Sequence, residues 1–329
     1  MVGQIKTNII YNEDCLLGLR KLPSESIDCC VTSPPYYAQR DYGCEGQIGL
    51  EETPQAYIDR LTDVFMEVFR VLKPTGTCWL NIGDCYATGT KAARQQSPNP
   101  GVGANNEAAQ NSVPSLGNPD GCKTKDLIGI PWMLAFTLRA KGWYLRQDII
   151  WNKPNAMPES VKDRCNKSHE YIFLLSKSKK YYFDYEQIQE DATTMENRPA
   201  GVIRNRKFGY DSKQNRHPEA YLMTGIGKQG AVCEKDMPTG KRNKRDVWSV
   251  NTKPDLNAHF AVFPEELIRP CILAGCPKGG VVLDPFMGSG TTARVARTYG
   301  RNYIGYEINS DYMAIAYKKT VVSQDIFAY

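Results

Sequence analysis

A strand, glycine turn, helix and second strand near the C-terminus constrain the fold most strongly. The segment reads VVLDPFMGSGTTARVARTYGRNYIGYEIN, and its first apolar run ends at Asp284 before a turn containing Gly288 and Gly290. The second strand ends at Glu307, 23 residues after Asp284. Glycines let a ligand lie against the backbone, and a carboxylate at the next strand tip can hold ribose hydroxyls. The pattern therefore predicts a nucleoside-binding βαβ unit, with an ordinary tight turn as the alternative.

The residues around the glycines distinguish between nucleotide classes. A phosphate loop of the form GxxxxGK[ST] needs a lysine that this turn lacks. The dinucleotide fingerprint GxGxxG is incomplete, because Thr291, Thr292 and Ala293 follow the second glycine. Asp284 disfavours a pyrophosphate but suits a cationic amino-acid group. S-adenosylmethionine (SAM) carries an ammonium, a sulfonium and a ribose, so we expect SAM as the cofactor.

Strand-like and helix-like patterns alternate over most of the chain. The runs TNIIYNEDC, SIDCCVTS and GTCWLNIGD predict strands, and Thr53 followed by Pro54 predicts the start of a long helix. Residues 170–184, EYIFLLSKSKKYYFD, predict an antiparallel hairpin around Ser-Lys-Ser-Lys. The alternation predicts an α/β fold with a doubly wound, mostly parallel sheet.

Two segments interrupt the alternation. Residues 86–125 are rich in Gly, Asn, Ser and Pro, which predicts a loop or a disordered insertion. Residues 190–250 are basic: positions 192–248 hold 12 Lys or Arg against 6 Asp or Glu, whereas the whole chain carries a net charge of +5. A positive surplus confined to one internal segment indicates a polyanionic partner.

Composition excludes several other classes of protein. No apolar run approaches the ~18 residues of a membrane span, and the N-terminus shows no secretion signal. Three histidines and no CxxC pair argue against a metal site. The 11 cysteines are simplest to interpret as reduced thiols in a cytoplasmic compartment.

The stretch SPPY, Ser33 to Tyr36, follows the predicted strand IDCCVT. Two prolines fix φ and remove two N–H donors, so the Ser33 hydroxyl and the Pro34 carbonyl can present acceptors at the carboxyl edge of the sheet. The rings of Tyr36 and Tyr37 could stack on a planar group. An acceptor pair beside an aromatic ring suits the exocyclic amine of a flipped-out nucleobase, although such a turn taken alone is more often structural.

The order of these motifs, TSPPY early and DPFMGSGTT late, resembles the β-class of DNA amino-methyltransferases. The segments VLKPTGTCWLNIGD, DIIWNKPNAMPES, KSHEYIFLLSKSKKYYFD and HFAVFPEELIRPCI also resemble that family, so the similarity covers most of the chain. The resemblance implies a Rossmann-like SAM-dependent methyltransferase fold. It divides the chain into a catalytic half (1–189), a small basic target-recognition insertion (190–250) and a SAM-binding half (251–329).

The resemblance assigns roles to residues at matching positions. It implies a catalytic tetrad, and its members here are Ser33, Pro34, Pro35 and Tyr36. It implies a cofactor site formed by Asp14, Phe263, Asp284, Phe286, Gly288, Ser289, Gly290, Thr291, Thr292 and Glu307. Asp14 would lie near the adenine, with a helix cap as its alternative role. His259 and Phe260 would flank the methionine end, and His259 could instead be a packed or capping histidine.

The first residue of the tetrad bears on the target base. In this family a serine there usually accompanies cytosine N4, while Asp or Asn usually accompanies adenine N6. Ser33 therefore favours N4-methylcytosine, and N6-methyladenine is the alternative. Two further alternatives are methylation of an RNA or protein amide nitrogen, and a catalytically silent DNA-binding protein that retains the fold.

The basic segment occupies the place of the family's target-recognition region. Cations contact phosphates, and Arg, Asn and Gln side chains also read base edges. The candidate DNA-binding residues are Arg204, Arg206, Lys207, Lys241, Arg242, Lys244 and Arg245, with a solvated loop as the alternative. The expected partners are double-stranded DNA, a second copy of the chain and a cognate restriction endonuclease, but not a membrane.

Overall fold

The computed structural model describes residues 5–89, 117–192, 240–253 and 263–325. Within these ranges the strands are β1 Ile9–Tyr11, β2 Ile27–Thr32, β3 Leu72–Ile82, β4 Tyr144–Asn152, β5 His169–Ser176, β6 Glu190–Asp191, β7 Lys241–Arg242, β8 Val247–Ser249, β9 Val281–Asp284 and β10 Asn302–Tyr306. The α-helices are α1 Cys15–Lys21, α2 Pro54–Val71, α3 Ile130–Ala140, α4 Glu265–Gly275, α5 Thr291–Thr298 and α6 Ser310–Asp325.

Eight strands form one sheet in the order β1-β10-β9-β2-β3-β5-β4-β8. The neighbours from β1 through β3 are parallel, β5 runs antiparallel to both β3 and β4, and β8 is parallel to β4. Helices α1, α2 and α3 pack together as one group, and α4, α5 and α6 as another. This arrangement confirms the doubly wound, mostly parallel α/β sheet that the sequence predicts.

The central strands are buried on both faces, as parallel strands between two helical layers must be. On β2, the side chain of Cys30 belongs to the core formed with α2 and α3. Its neighbour Cys29 points the other way, because a Cβ added to Gly275 of α4 would lie 2.9 Å from the Cys29 sulfur. The alternation of adjacent side chains thus places one helical layer on each face of the sheet.

Helix α2 begins where its sequence predicts. The Thr53 hydroxyl accepts a 3.1 Å hydrogen bond from the Ala56 N–H, and Pro54 occupies the first turn, where its missing N–H costs nothing. The helix ends at Val71 and β3 follows directly from Leu72. The apolar face of α2 is buried over its whole length in the core against the sheet.

The hairpin predicted for residues 170–184 is wrong in its second half. Residues 169–176 form β5, but residues 181–185 form no strand. Both edges of β5 are already paired with β3 and β4, so the following segment has no free edge of β5 to pair with. It hydrogen-bonds elsewhere: the N–H of Tyr182 donates to the Thr75 carbonyl, and that of Asp184 to the Ala274 carbonyl, each at 2.9 Å.

The ends of the predicted 86–125 insertion lie together. Tyr86 forms a bridge with Leu127, and the Lys125 N–H donates to the Ala87 carbonyl at 2.8 Å. Residues 90–116, which include most of the insertion, lie outside the described residues.

Residues 188–244 form a second compact unit, separate from the unit of residues 1–187 and 245–329. Its described part is an antiparallel pair, β6 with β7, in which Glu190 is opposite Arg242 and Asp191 opposite Lys241. Residues 193–239 lie outside the described residues. None of the helices in the described ranges combines the length and apolarity needed to cross a membrane.

Candidate active site

The two sequence motifs meet where the strand order of the sheet reverses. Strand β9 leads through α5 to β10 on one side, and β2 leads through α2 to β3 on the other. Because β9 and β2 are adjacent and parallel, their carboxyl ends meet at one edge of the sheet. Open α/β sheets bind ligands at such a switch point.

A cavity of about 360 Å³ opens at this edge. Four cavity-lining residues belong to the predicted catalytic tetrad, Ser33, Pro34, Pro35 and Tyr36. Seven belong to the predicted cofactor site, namely Asp14, Phe263, Phe286, Gly288, Ser289, Thr291 and Glu307. The cavity therefore brings together two motifs from opposite ends of the sequence.

The cofactor loop presents backbone to the cavity at Gly288. This glycine has φ +54°, and no atom lies closer than 3.9 Å to the position of an added Cβ. Its N–H donates a 2.8 Å hydrogen bond to the carboxylate of Glu307, which also accepts from the Asn309 N–H at 2.8 Å. Burial raises the pKa of the Glu307 carboxyl above its ordinary value. An open glycine backbone beside a strand-end carboxylate fits the ribose and amino-acid portions of SAM.

The second glycine of the loop is required by close packing. Gly290 has φ +85°, and an added Cβ would lie 2.8 Å from the backbone Cα of Ala316 on α6. Ser289 between the two glycines accepts a 2.8 Å hydrogen bond from Lys319, also on α6. Helix α6 therefore supports the loop from behind, although sequence reasoning assigned it no role.

Three residues predicted to bind the cofactor do not line the cavity: Asp284, Gly290 and Thr292. Asp284 is fully buried, and its oxygens accept 2.6 Å hydrogen bonds from the hydroxyls of Thr32 and Thr292 and a 3.0 Å bond from the Phe286 N–H. Burial raises the pKa of Asp284 to about 6. Its carboxylate holds the loop together from beneath, and nothing places it against a cationic group of a ligand.

Asp14 caps a helix, as its alternative role predicts, and also lines the cavity. Its carboxylate caps α1 by accepting a 2.9 Å hydrogen bond from the Leu17 N–H, and the residue lines the cavity. Phe263 also lines the cavity, whereas His259 and Phe260 lie outside the described residues.

The SPPY turn is held rigidly at the end of β2. The Pro35 carbonyl accepts a 2.8 Å hydrogen bond from the hydroxyl of Tyr57 on α2. The ring of Tyr36 packs against Gly83, where an added Cβ would lie 2.6 Å from a ring carbon. Tyr37 does not serve as a second stacking platform, because it is 3% exposed and packs against Tyr57 in the core.

Sequence reasoning missed a polar network behind the turn. The Tyr36 hydroxyl donates to Glu170 at 2.7 Å and lies 3.2 Å from the Asn81 amide oxygen. The Glu170 carboxylate also forms an ion pair with Lys153 and accepts from the Asn81 amide at 3.2 Å. All four residues line the cavity. The signal available was their position at predicted strand ends, in the segments CWLNIGD, IIWNK and SHEYIF.

Four of the seven predicted DNA-binding cations lie within the described residues. In the unit of residues 188–244, Lys241 pairs with Asp191 at 2.5 Å, and Arg242 and Lys244 pair with Glu190 at 3.4 and 3.3 Å. Arg245 precedes β8 in the larger unit. The remaining three candidates, Arg204, Arg206 and Lys207, lie outside the described residues.

The chain matches the family model for DNA methylases of the N6/N4 methyltransferase group over residues 27–318. It is 46% identical to the Type II methyltransferase M.Cfr9I of Citrobacter freundii, covering 93% of this chain and 85% of that protein. It is 45% identical to the Type II methyltransferase M.SmaI of Serratia marcescens, covering 92% of this chain and 87% of that protein.

Solved structures show the same fold. The PvuII DNA methyltransferase (cytosine-N4-specific) superposes with a TM-score of 0.60 at 18% identity, covering 96% of this chain and 87% of that one. A DNA modification methylase of Thermus thermophilus, solved in complex with S-adenosyl-L-methionine, superposes with a TM-score of 0.54 at 21% identity, covering 97% and 96%. With the family match, these results confirm the Rossmann-like methyltransferase fold and SAM as the cofactor. The chain belongs to the N6/N4 family of DNA methylases, and it is a SAM-dependent amino-methyltransferase of the Type II, restriction-modification kind.

Proposed function

We propose that the protein methylates the exocyclic N4 of cytosine within a specific DNA sequence. The observation that carries the proposal is Ser33, which begins the catalytic turn and lines the same cavity as Gly288 and Glu307. A serine at this position usually accompanies cytosine N4 in the family. The structural similarity to a methyltransferase described as cytosine-N4-specific supports the same assignment.

The turn is suited to the chemistry of a conjugated amine. An exocyclic amine shares its lone pair with the base ring and is therefore a poor nucleophile. In our proposal the Ser33 hydroxyl and the Pro34 carbonyl accept its two N–H bonds, which favours a geometry with the lone pair out of plane. Positioning of this kind lowers a barrier by up to ~7–11 kcal/mol. A base in a duplex must first be flipped out, and the Tyr36 ring offers it a stacking surface.

The cofactor supplies an electrophilic methyl group on a sulfonium. On the chain's side, we assign the backbone at Gly288 and the Glu307 carboxylate to the ribose, and Asp14 to the adenine end. Phe263 and Phe286 line the same cavity and would shield the reacting groups from water. Asp284 and Thr292 maintain the shape of the loop through their mutual hydrogen bond.

Nucleoside mass spectrometry tests the base assignment. Purified protein incubated with SAM and mixed-sequence duplex DNA should yield N4-methylcytosine, and N6-methyladenine in its place would favour the alternative. Ser33→Ala should lower turnover at least tenfold while SAM affinity, measured by calorimetry, changes less than twofold. Equal loss of both would contradict the role given to Ser33. No transfer to any DNA, with SAM binding intact, would favour a silent DNA-binding protein.

We also propose where the protein recognises DNA, which partners it has and where it is located. We infer that residues 190–250 contain the target-recognition region, on the strength of their cation surplus. A homodimer and a cognate restriction endonuclease are the proposed partners, and the bacterial relatives support a location in the bacterial cytoplasm. Long-read sequencing of DNA from expressing cells would reveal site and base together. Light scattering of the purified protein would report the oligomeric state.

A further inference from the structure

A chain of hydroxyl groups connects Ser33 to Glu170. The Ser33 hydroxyl lies 3.5 Å from the Tyr36 hydroxyl oxygen, and the Tyr36 hydroxyl lies 2.7 Å from a carboxylate oxygen of Glu170. Glu170 lies at the start of β5, which is antiparallel to its neighbours, so its carboxylate reaches the same sheet edge as the carboxyl ends of β2, β3 and β4. The chain of hydroxyls therefore runs from the proposed amine acceptor into the wall of the cavity.

The chemistry of these groups determines the direction of each hydrogen bond. Both the Glu170 carboxylate and the Asn81 amide oxygen only accept, and the single proton of the Tyr36 hydroxyl points to Glu170 because that oxygen is nearer, at 2.7 Å against 3.2 Å. Burial raises the pKa of Tyr36 well above its ordinary value, so that proton is retained. The Tyr36 oxygen can then only accept, and the Ser33 proton points toward it. Both lone pairs of the Ser33 oxygen are left for other donors.

We propose that Glu170 is a positioning residue that orients the protons of Tyr36 and Ser33 and so makes Ser33 a hydrogen-bond acceptor for the target amine. Without an acceptor at position 170, the Tyr36 proton is free to turn to the Asn81 amide oxygen at 3.2 Å or to Ser33 at 3.5 Å, and donation to Ser33 would occupy a lone pair that the amine needs. The inference rests on the proposed role of Ser33, and it holds for either cytosine or adenine.

Both carboxylate oxygens of Glu170 have partners besides Tyr36. Lys153, which follows β4, pairs with one carboxylate oxygen, and the Asn81 amide on β3 donates to the other. Lys153 also lies 4.2 Å from the centre of the Trp151 ring, which holds the ammonium in place. Lys167 is a further cation whose charge interacts with Glu170. His169 precedes Glu170 in the chain, and its ring faces Tyr171 at 5.5 Å between ring centres.

The substitution Glu170→Gln keeps the shape of the side chain but replaces one hydrogen-bond acceptor with an NH₂ donor. Lys153 requires an acceptor, so the amide oxygen should face Lys153 and the amide NH₂ should face Tyr36. The Tyr36 hydroxyl then accepts from position 170, and its proton is shared between the Asn81 amide oxygen and Ser33, so Ser33 is no longer held as an acceptor. We expect E170Q to lower turnover at least tenfold, with SAM affinity changed less than twofold.

A double variant separates this role from a merely structural one. In Y36F no hydroxyl can turn toward Ser33, so E170Q should have little further effect: the double variant Y36F/E170Q should match Y36F within twofold and exceed E170Q alone. Asp28→Asn serves as the control, because Asp28 forms a 2.7 Å ion pair with Lys73 and does not line the cavity. We expect D28N to change turnover less than twofold, both alone and combined with Y36F.

The outcomes of these experiments separate the role of Glu170 from the role of Ser33 in the proposed function. If E170Q lowers turnover by the same factor in the wild type and in the Y36F background, the inference is overturned. If Ser33→Ala is as active as the wild type, the role of Ser33 in the proposed function fails, and the inference fails with it. If S33A is inactive while E170Q is fully active, only the inference fails.

Discussion

The hydroxyl of Thr32 donates a 2.6 Å hydrogen bond to the carboxylate of Asp284. Both residues are fully buried, one at the end of β2 and the other at the end of β9. Thr32 immediately precedes the SPPY turn and Asp284 begins the glycine loop, so this bond ties the two motifs together. This bond explains why the glycine-loop motif contains a carboxylate, that of Asp284, which does not line the cavity.

Removing the Thr32 hydroxyl should therefore affect both motifs. Thr32→Val keeps the shape of the side chain but leaves one Asp284 oxygen with only the Phe286 N–H as a donor. We expect the free energy of unfolding to fall by about 1–3 kcal/mol, and turnover and SAM affinity to fall together. Urea denaturation and calorimetry measure these effects. Thr62→Val is the control, because the Thr62 hydroxyl bonds to the Ile58 carbonyl within α2, and it should cost little.

Asp284 should make the stability of the protein depend on pH. Burial raises its pKa from an ordinary 3.8 to about 6, so the folded state binds this proton more tightly than the unfolded chain does. Its contribution is fully present below pH ~4 and is lost as the pH rises through ~6, a change of about 3 kcal/mol. In Asp284→Asn this decline should disappear. Parallel curves of unfolding free energy against pH for variant and wild type would contradict the assignment.

Gly290→Ala should prevent SAM binding, because the new Cβ would meet the Ala316 backbone at 2.8 Å. The matched control is Gly279→Ala, which also has a positive φ (+78°) but no atom within 4 Å of the added Cβ. In the control, backbone strain alone should lower the free energy of unfolding by about 1–2 kcal/mol, and SAM affinity should be unchanged. Calorimetric titration with SAM distinguishes the two. Equal SAM affinity in both variants would mean that the support from α6 is unimportant.

Glu307→Gln should weaken SAM binding roughly ten- to hundredfold, because one of the two N–H donors at Gly288 and Asn309 would then face an amide NH₂. Burial raises the pKa of Glu307, so wild-type SAM affinity should also decline on acidification earlier than for an exposed glutamate. Glu25→Gln, at a surface ion pair with Lys177, is the control and should leave SAM binding unchanged. If E307Q bound SAM as tightly as the wild type, the assignment of Glu307 to the cofactor site would be wrong.

Local sequence patterns were sufficient for much of the fold. The N-cap at Thr53, the buried runs that became β2 and β3, and the strand–turn–helix at Asp284 depend on neighbours in the chain, and a short window contains them. The hairpin at 170–184 failed because it depended on which edges of β5 were free. That is a property of the whole sheet.

For the site, the sequence by itself determined the residue types and their places at strand ends: Ser33 to Tyr36, the glycine turn and Glu307. These follow from backbone chemistry, since prolines and glycines act on their own φ angles and donors. Only the tertiary structure decided that Asp284 lies beneath the cavity rather than in its wall. Burial and hydrogen-bond partners come from other strands, here from Thr32, 252 positions away. The same is true of Glu170, whose place beside Tyr36 depends on β5 running antiparallel to its neighbours.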